Sequence, residues 1–155
     1  MTLQKTFNAK TVIIIGHTGF KGAWLTAWLK QLGANVVGIA QDPHTEPSHF
    51  VEANLTDGMT DLRIDIRNQV ALEESIVSTQ PDFVFHLAAQ ALVRRSYEDP
   101  VETWQTNLLG TLHVLEALRK LEKPCAAVII TSDKCYDNVE WVWGYRETDA
   151  MGGPD

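Results

Sequence analysis

Residues 12–15, Val-Ile-Ile-Ile, run straight into Gly16-His17-Thr18-Gly19-Phe20-Lys21-Gly22, and an amphipathic stretch follows. No other feature restricts the fold so tightly. A wholly apolar, β-branched run reads as a strand buried on both faces, which implies a parallel sheet covered by helices. The three glycines then carry the chain from that strand into a helix. The first permits the tight turn, the second lets phosphates approach the backbone, and the third allows close packing of helix on strand. The free N–H groups of the helix start face an anion, so these are the parts of a dinucleotide pyrophosphate site.

Short β-branched runs alternate with helical ones along the rest of the chain, the mark of βαβ units. Strands are expected near residues 11–15, 35–40, 61–65, 82–87 and 126–131. The first helix spans residues 20–32, with Phe20, Trp24, Leu25, Trp28, Leu29 and Leu32 on its apolar face and Gly33 as its stop. A second helix covers residues 68–79. A third starts with Asp99 as N-cap, Pro100 at the first position and Glu102 closing a capping-box-like pair, and runs on to Lys120. Between the second and third strands, residues 42–48 form a loop. Tyr136, Trp141, Trp143 and Tyr145 crowd a stretch without clear periodicity, and Gly152-Gly153-Pro154-Asp155 is turn chemistry. The fold expected is a Rossmann-type, doubly wound α/β parallel sheet, truncated after about the fifth strand. It forms one domain over residues 1–155.

Thirteen basic against twenty acidic residues give a net charge of −7, which disfavours nucleic acid or an anionic membrane as partner. The chain starts without the apolar core of a signal peptide and has no run long enough to span a membrane. Cys125 and Cys135 make no disulfide framework, so a reducing cytoplasm is the expected location. The five histidines are scattered without metal-ligand spacing.

The candidate site residues gather at the carboxyl ends of the expected strands, where open α/β sheets bind ligands. In the glycine loop, His17 and Lys21 either touch a phosphate or, in the case of Lys21, simply mark an exposed helix start. Asp42 follows the second strand, slightly late for the acidic residue that holds adenosine ribose hydroxyls. It serves equally as a turn residue before Pro43. The lack of arginine there favours NAD over NADP. Asp65, with Ile66, can accept from the adenine amino group or cap the next helix. After the fourth strand, Leu87, Ala88, Ala89 and Gln90 let a flat cofactor lie on the backbone, while His86 reads as a packed side chain. Arg94 and Arg95, with Ser96, are a pyrophosphate clamp or surface ion pairs. Thr131-Ser132-Asp133-Lys134 sets a hydroxyl, a carboxylate and an ammonium at the mouth of the sheet, for proton transfer to an alcohol or for turn capping.

Four segments together carry a resemblance. These are the glycine loop, Leu87-Ala88-Ala89-Gln90-Ala91-Leu92-Val93-Arg94, Thr131-Ser132-Asp133-Lys134-Cys135-Tyr136 and Trp141-Val142-Trp143-Gly144-Tyr145-Arg146-Glu147. From Lys10 onward the chain resembles the CDP-glucose 4,6-dehydratases, a family of extended short-chain dehydrogenase/reductases. The resemblance implies bound NAD, a CDP-glucose or other nucleotide-sugar substrate, and a homodimer or larger assembly joined through the third helix. It assigns Ser132 to the C4 oxygen of the sugar and Asp133 to protonation of the departing C6 hydroxyl. Lys134 stands where dTDP-glucose relatives carry a glutamate, and this supports the CDP-glucose group. Asn107 matches an asparagine that helps order the active site, and Arg94 and Ser96 fall to the substrate. Such enzymes also use a Tyr-x-x-x-Lys pair, yet Tyr97, Tyr136 and Tyr145 are followed four residues on by Val101, Glu140 and Asp149. The chain therefore reads as the amino-terminal part of a longer enzyme, inactive alone. A non-catalytic NAD-binding module and a related nucleotide-sugar epimerase are the alternatives.

Overall fold

The β-branched runs become five strands: β1 (Thr11–Ile15), β2 (Asn35–Ala40), β3 (Thr60–Arg63), β4 (Phe83–His86) and β5 (Ala126–Ile129). The computed structural model describes residues 2–152, so the turn read at the end of the chain lies, from Gly153 on, outside the described residues. All four pairings are parallel and the order is β3-β2-β1-β4-β5. The chain steps outward from β1 through β2 and β3, then returns to the other side of β1 for β4 and β5. That reversal opens a crevice at the carboxyl edge between β1 and β4, the place where doubly wound sheets take their ligands.

Seven α-helical segments are described: α1 (Leu3–Phe7), α2 (Phe20–Gln31), α3 (His49–Glu52), α4 (Gln69–Thr79), α5 (Val93–Glu98), α6 (Pro100–Trp104) and α7 (Thr111–Leu118). The central strand alternates between two cores. Ile13 and Ile15 pack with Val84, Leu72, Ile76, Val114 and Ala117 beneath α4 and α7. Val12 and Ile14 pack with Leu29 and Val36 beneath α2. The side chains of β1 from Val12 to Ile15 are fully buried, which is why this run carries no polar residue.

Several local expectations need correction. The buried face of α2 is Gly22, Ala23, Thr26 and Leu29, with Leu25 and Leu32 only partly covered. Phe20, Trp24 and Trp28 are 74%, 58% and 51% exposed. At its first turn the helix lies so close to the glycine loop that a Cβ on Gly22 would meet the Gly16 carbonyl, and small residues precede Leu29 on the inner face. Phe7 of the unforeseen α1 packs its ring 4.9 Å from Phe83. The loop after β2 contains the single turn α3, which buries Phe50. Gly33, at φ +82°, stops α2 as its sequence predicts.

The third helix starts as read, with the Asp99 carboxylate accepting from the Glu102 N–H at 2.9 Å and Pro100 in the first turn. Glu102 does not close the box. Its carboxylate instead pairs with Arg95 at 2.8 Å and Arg67 at 3.6 Å. Nor is the helix uniform: Gln105–Gly110 is a π-helical segment between α6 and α7. Trp104, Leu108, Leu112 and Leu115 point outward, while Val114 and Ala117 fill the core. At the other side of the sheet, β5 is an edge strand, with Val128 and Ile130 about half exposed.

Candidate functional site

Gly16 leaves β1 at φ +96°, and a Cβ there would stand 2.7 Å from the Ala88 backbone nitrogen. The turns after β1 and β4 thus touch backbone to backbone. A Cβ on Gly22 would collide with the Gly16 carbonyl oxygen, so the third glycine lets α2 sit on the turn. Gly19 is the N-cap of α2, and no side-chain hydrogen bond caps that end. Its first N–H groups face outward at the positive end of the helix dipole.

Around this turn lies a cavity of about 770 Å³ at the carboxyl edge of the sheet. That volume is within the roughly 300–1,000 Å³ range of cofactor pockets. Of the residues read from sequence, Gly16, Gly19, Phe20, Asp65, Ile66, Leu87, Ala88, Ala89 and Gln90 line it. The donor-rich turn, two carboxylates held by arginines (Asp65 and Glu102) and a floor of alanines suit a dinucleotide's phosphates, amino or hydroxyl groups and flat rings.

Asp65 is the best-held charge in the cavity. Its carboxylate accepts from the Arg67 backbone N–H at 2.9 Å, from the Arg67 guanidinium, and from the Gln41 amide at 2.6 Å. Burial pushes its pKa up, but the Arg67 and Gln41 donors outweigh this and hold it below the ordinary carboxylate value. Asp65 does not cap the next helix; Asn68 does, accepting from the Ala71 N–H.

Asn107, in the π-helical segment, lies outside the cavity lining and works on its wall. Its Oδ1 accepts from the Gln90 N–H at 2.8 Å, and its Nδ2 donates to the Gln90 carbonyl at 2.9 Å. The widened turn of the helix aims this amide across to the loop after β4, and such bulges concentrate at functional sites. His86 is packed, as read: it is 2% exposed, with Nε2 at 3.0 Å from Thr111 Oγ1. Thr111 spends its hydroxyl proton on the Asn107 carbonyl at 2.7 Å, so His86 Nε2 carries a proton and donates.

Other candidates stand apart from the cavity. The His17 ring is fully buried and turned inward, with Nε2 at 2.9 Å from Asp61 Oδ1, so it does not meet a phosphate as a cation. Lys21 is exposed on the first turn of α2, away from the lining. Asp42 is 88% exposed and pairs with Arg63 at 3.6 Å. Arg95, rather than Arg94 or Ser96, lines the cavity, and the Ser96 hydroxyl donates to the Val93 carbonyl. Ser132 caps a short 3₁₀ turn, Asp133–Cys135, by accepting from the Lys134 N–H at 3.1 Å. Ser132, Asp133 and Lys134 stay together beyond β5, outside the lining. Sequence reasoning missed Gln41 and Arg67, both on the cavity wall; the signal available was their position just past β2 and β3.

The family profile described as GDP-mannose 4,6 dehydratase matches residues 13–153. The CDP-glucose 4,6-dehydratase of Salmonella typhimurium is 52% identical over 154 residues, covering 99% of this chain and 43% of that protein. The UDP-glucose 4-epimerase of Mycoplasma genitalium is 29% identical over 130 residues, covering 83% of this chain and 38% of that protein. The chain therefore spans less than half the length of these curated relatives. Among solved structures, the Thermus thermophilus UDP-glucose 4-epimerase complex with NAD aligns with TM-score 0.74 and 29% identity, over 92% of this chain and 44% of that one. The NAD-bound UDP-glucose-4-epimerase of Stenotrophomonas maltophila aligns with TM-score 0.78 at 21% identity, over 92% of this chain and 43% of that one, a likeness of fold.

Proposed function

The chain belongs to the GDP-mannose 4,6 dehydratase family, and we propose that within it this chain is the cofactor-holding part of a CDP-glucose 4,6-dehydratase. The observation that carries the reading is the 52% identity, over nearly the whole chain, with the CDP-glucose enzyme. Lys134 adds to it by the resemblance, which sets a glutamate at this position in the dTDP-glucose relatives.

The proposed cofactor is NAD. When bound it would supply a hydride acceptor for C4 of the glucose and give the hydride back at C6 once water has left across C5 and C6. Everything else falls to side chains and backbone. The uncapped N–H groups of α2 hold the pyrophosphate, and Gly16 and Ala88 keep the floor low enough for its approach. Asp65 takes the adenine amino group in place of the Gln41 amide, and Asp42, exposed outside the lining but next in sequence to the lining residue Gln41, is assigned to the ribose hydroxyls. The Ser132 hydroxyl, 3.4 Å from Asp133 Oδ1, is assigned to donate to the C4 oxygen, and Asp133, in its protonated form, to give its proton to the departing C6 hydroxyl. Arg94 and Ser96 are assigned to the nucleotide sugar. The outward row of Trp104, Leu108, Leu112 and Leu115 is assigned to a homodimer contact.

The Tyr-x-x-x-Lys base is not among these residues, so the 155-residue chain is expected to bind NAD without turning over CDP-glucose. Titration calorimetry with NAD and a coupled assay with CDP-glucose test this together. Measurable turnover would refute the assignment of the base to residues outside the chain. Failure to bind NAD would refute the cofactor reading.

A further inference from the structure

The His17 ring occupies a slot that exists because residue 38, inside β2, is glycine: a Cβ there would collide with the ring. Phe50 closes the slot edge-on, with ring centroids 5.0 Å apart. Nothing in the proposed reaction uses this ring. Its polar contact is Asp61, on the neighbouring β3, whose side chain is 18% exposed. The second Asp61 oxygen accepts from Arg63 Nη2 at 2.7 Å. Arg63 also donates from Nη1 to the Gln41 carbonyl at 3.1 Å, sits 5.3 Å over the Phe50 ring, and pairs through Nε with Asp42 at 3.6 Å. The same Gln41 carbonyl accepts from Thr18 Oγ1 in the glycine loop. A relay therefore runs from the buried His17 ring of the glycine loop through Asp61 and Arg63 to the exposed end of β2.

We propose that Asp61, seated on the buried His17 ring, sets the choice between NAD and its 2′-phosphorylated form by holding the Arg63 guanidinium between two carboxylates, its own and that of Asp42. The inference rests on the reading that the cavity binds a dinucleotide with Asp42 at the adenosine ribose. An arginine beside this position is the usual partner of a 2′-phosphate. Here one cation faces two carboxylates, so the local balance is negative, and the guanidinium already donates to Asp61 and to the Gln41 carbonyl. A phosphate dianion meets repulsion there, whereas ribose hydroxyls meet a carboxylate acceptor in Asp42. His17 and Asp61 are positioning residues in this account, and specificity comes from the repulsive element as much as the attractive one.

The test is calorimetric titration of NAD and NADP into the 155-residue chain, its Asp61→Asn and Arg63→Gln variants and the double variant, with thermal midpoints taken alongside. The expected wild-type result is preference for NAD. Asp61→Asn should shift the NADP-to-NAD affinity ratio toward NADP by about tenfold, the worth of roughly one uncompensated charge pair at a half-buried site. Arg63→Gln should move the ratio the other way, and the double variant should lose the gain. A lower thermal midpoint with an unmoved ratio in both single variants would mean that the relay only straps β3 to the turn, and would overturn the proposal. Should Asp61→Asn fail to fold, an unmoved ratio in Arg63→Gln overturns it equally. A wild-type chain that binds neither dinucleotide overturns the functional reading beneath it, and the inference with it.

Discussion

His86 gives the most quantitative prediction, because its burial, tautomer and partner are all defined. The ring sits at the end of β4 with its Nε2–H on Thr111, and desolvation lowers its pKa from 6.5 to about 4. Among the described residues Nδ1 finds no partner, so protonation would create an uncompensated charge in the core. Above pH 6.5 the ring is neutral in both the folded and the unfolded chain, and stability does not depend on it. Between 6.5 and 4 the unfolded chain takes up a proton that the folded chain refuses, so stability falls with falling pH. Below about pH 4 both forms are protonated and the loss levels off. A gap from 6.5 to about 4 corresponds to about 3 kcal/mol in full, of which about 2 kcal/mol is lost by about pH 5. Burial also lowers the pKa of His17, against the pull of Asp61, so the wild-type slope contains more than one group. The comparison is therefore with His86→Gln, which retains a donor for Thr111 and does not titrate. Urea unfolding of both proteins near pH 7.5 and near pH 5 should show the wild type losing about 2 kcal/mol more than the variant. Parallel losses in the two proteins would refute the reasoning, since the proton would then not be excluded by this site.

Gly22→Ala should lower stability by about 3 kcal/mol and abolish NAD binding, because the added methyl would force α2 off the Gly16 carbonyl; urea midpoints and titration calorimetry report the two effects. Asn107→Ala hands the N–H and C=O of Gln90 to water and should cost about 1 kcal/mol, read by the same unfolding curves, together with a weaker NAD affinity from a loosened cavity wall.

What the sequence made legible was what depends on neighbours along the chain. The buried run of β1, the stop at Gly33 and the Asp99-Pro100 start need only local chemistry, and all three stand in the fold. The placement of Gly16, Asp65 and Ala88 at one edge follows from parallel strands alone, since any parallel sheet gathers its strand ends there. Periodicity failed on α2 because aromatic spacing says which residues share a face, not which face a tertiary contact leaves room for. The Gly16 carbonyl takes the space at Gly22, and Phe20, Trp24 and Trp28 stand on the exposed side. The π-helical segment escaped notice for a related reason: it coincides with a long-range clamp between Asn107 and Gln90, which no helical period encodes.

His17 and Gly38 take the point one step further. Read singly, the first is a cation in a phosphate loop and the second a weak spot in a strand. Each reading is locally sound, and the structure gives both residues a different task. The glycine is the space the ring requires, and the ring is the seat of Asp61. A glycine inside a buried strand, with no turn to explain it, is therefore a signal that some other side chain occupies the missing volume. Its partner should be sought among residues whose polar atoms have no evident use at the surface. In this chain the volume missing at residue 38 is filled by His17, and His17 leads on to Asp61 and Arg63.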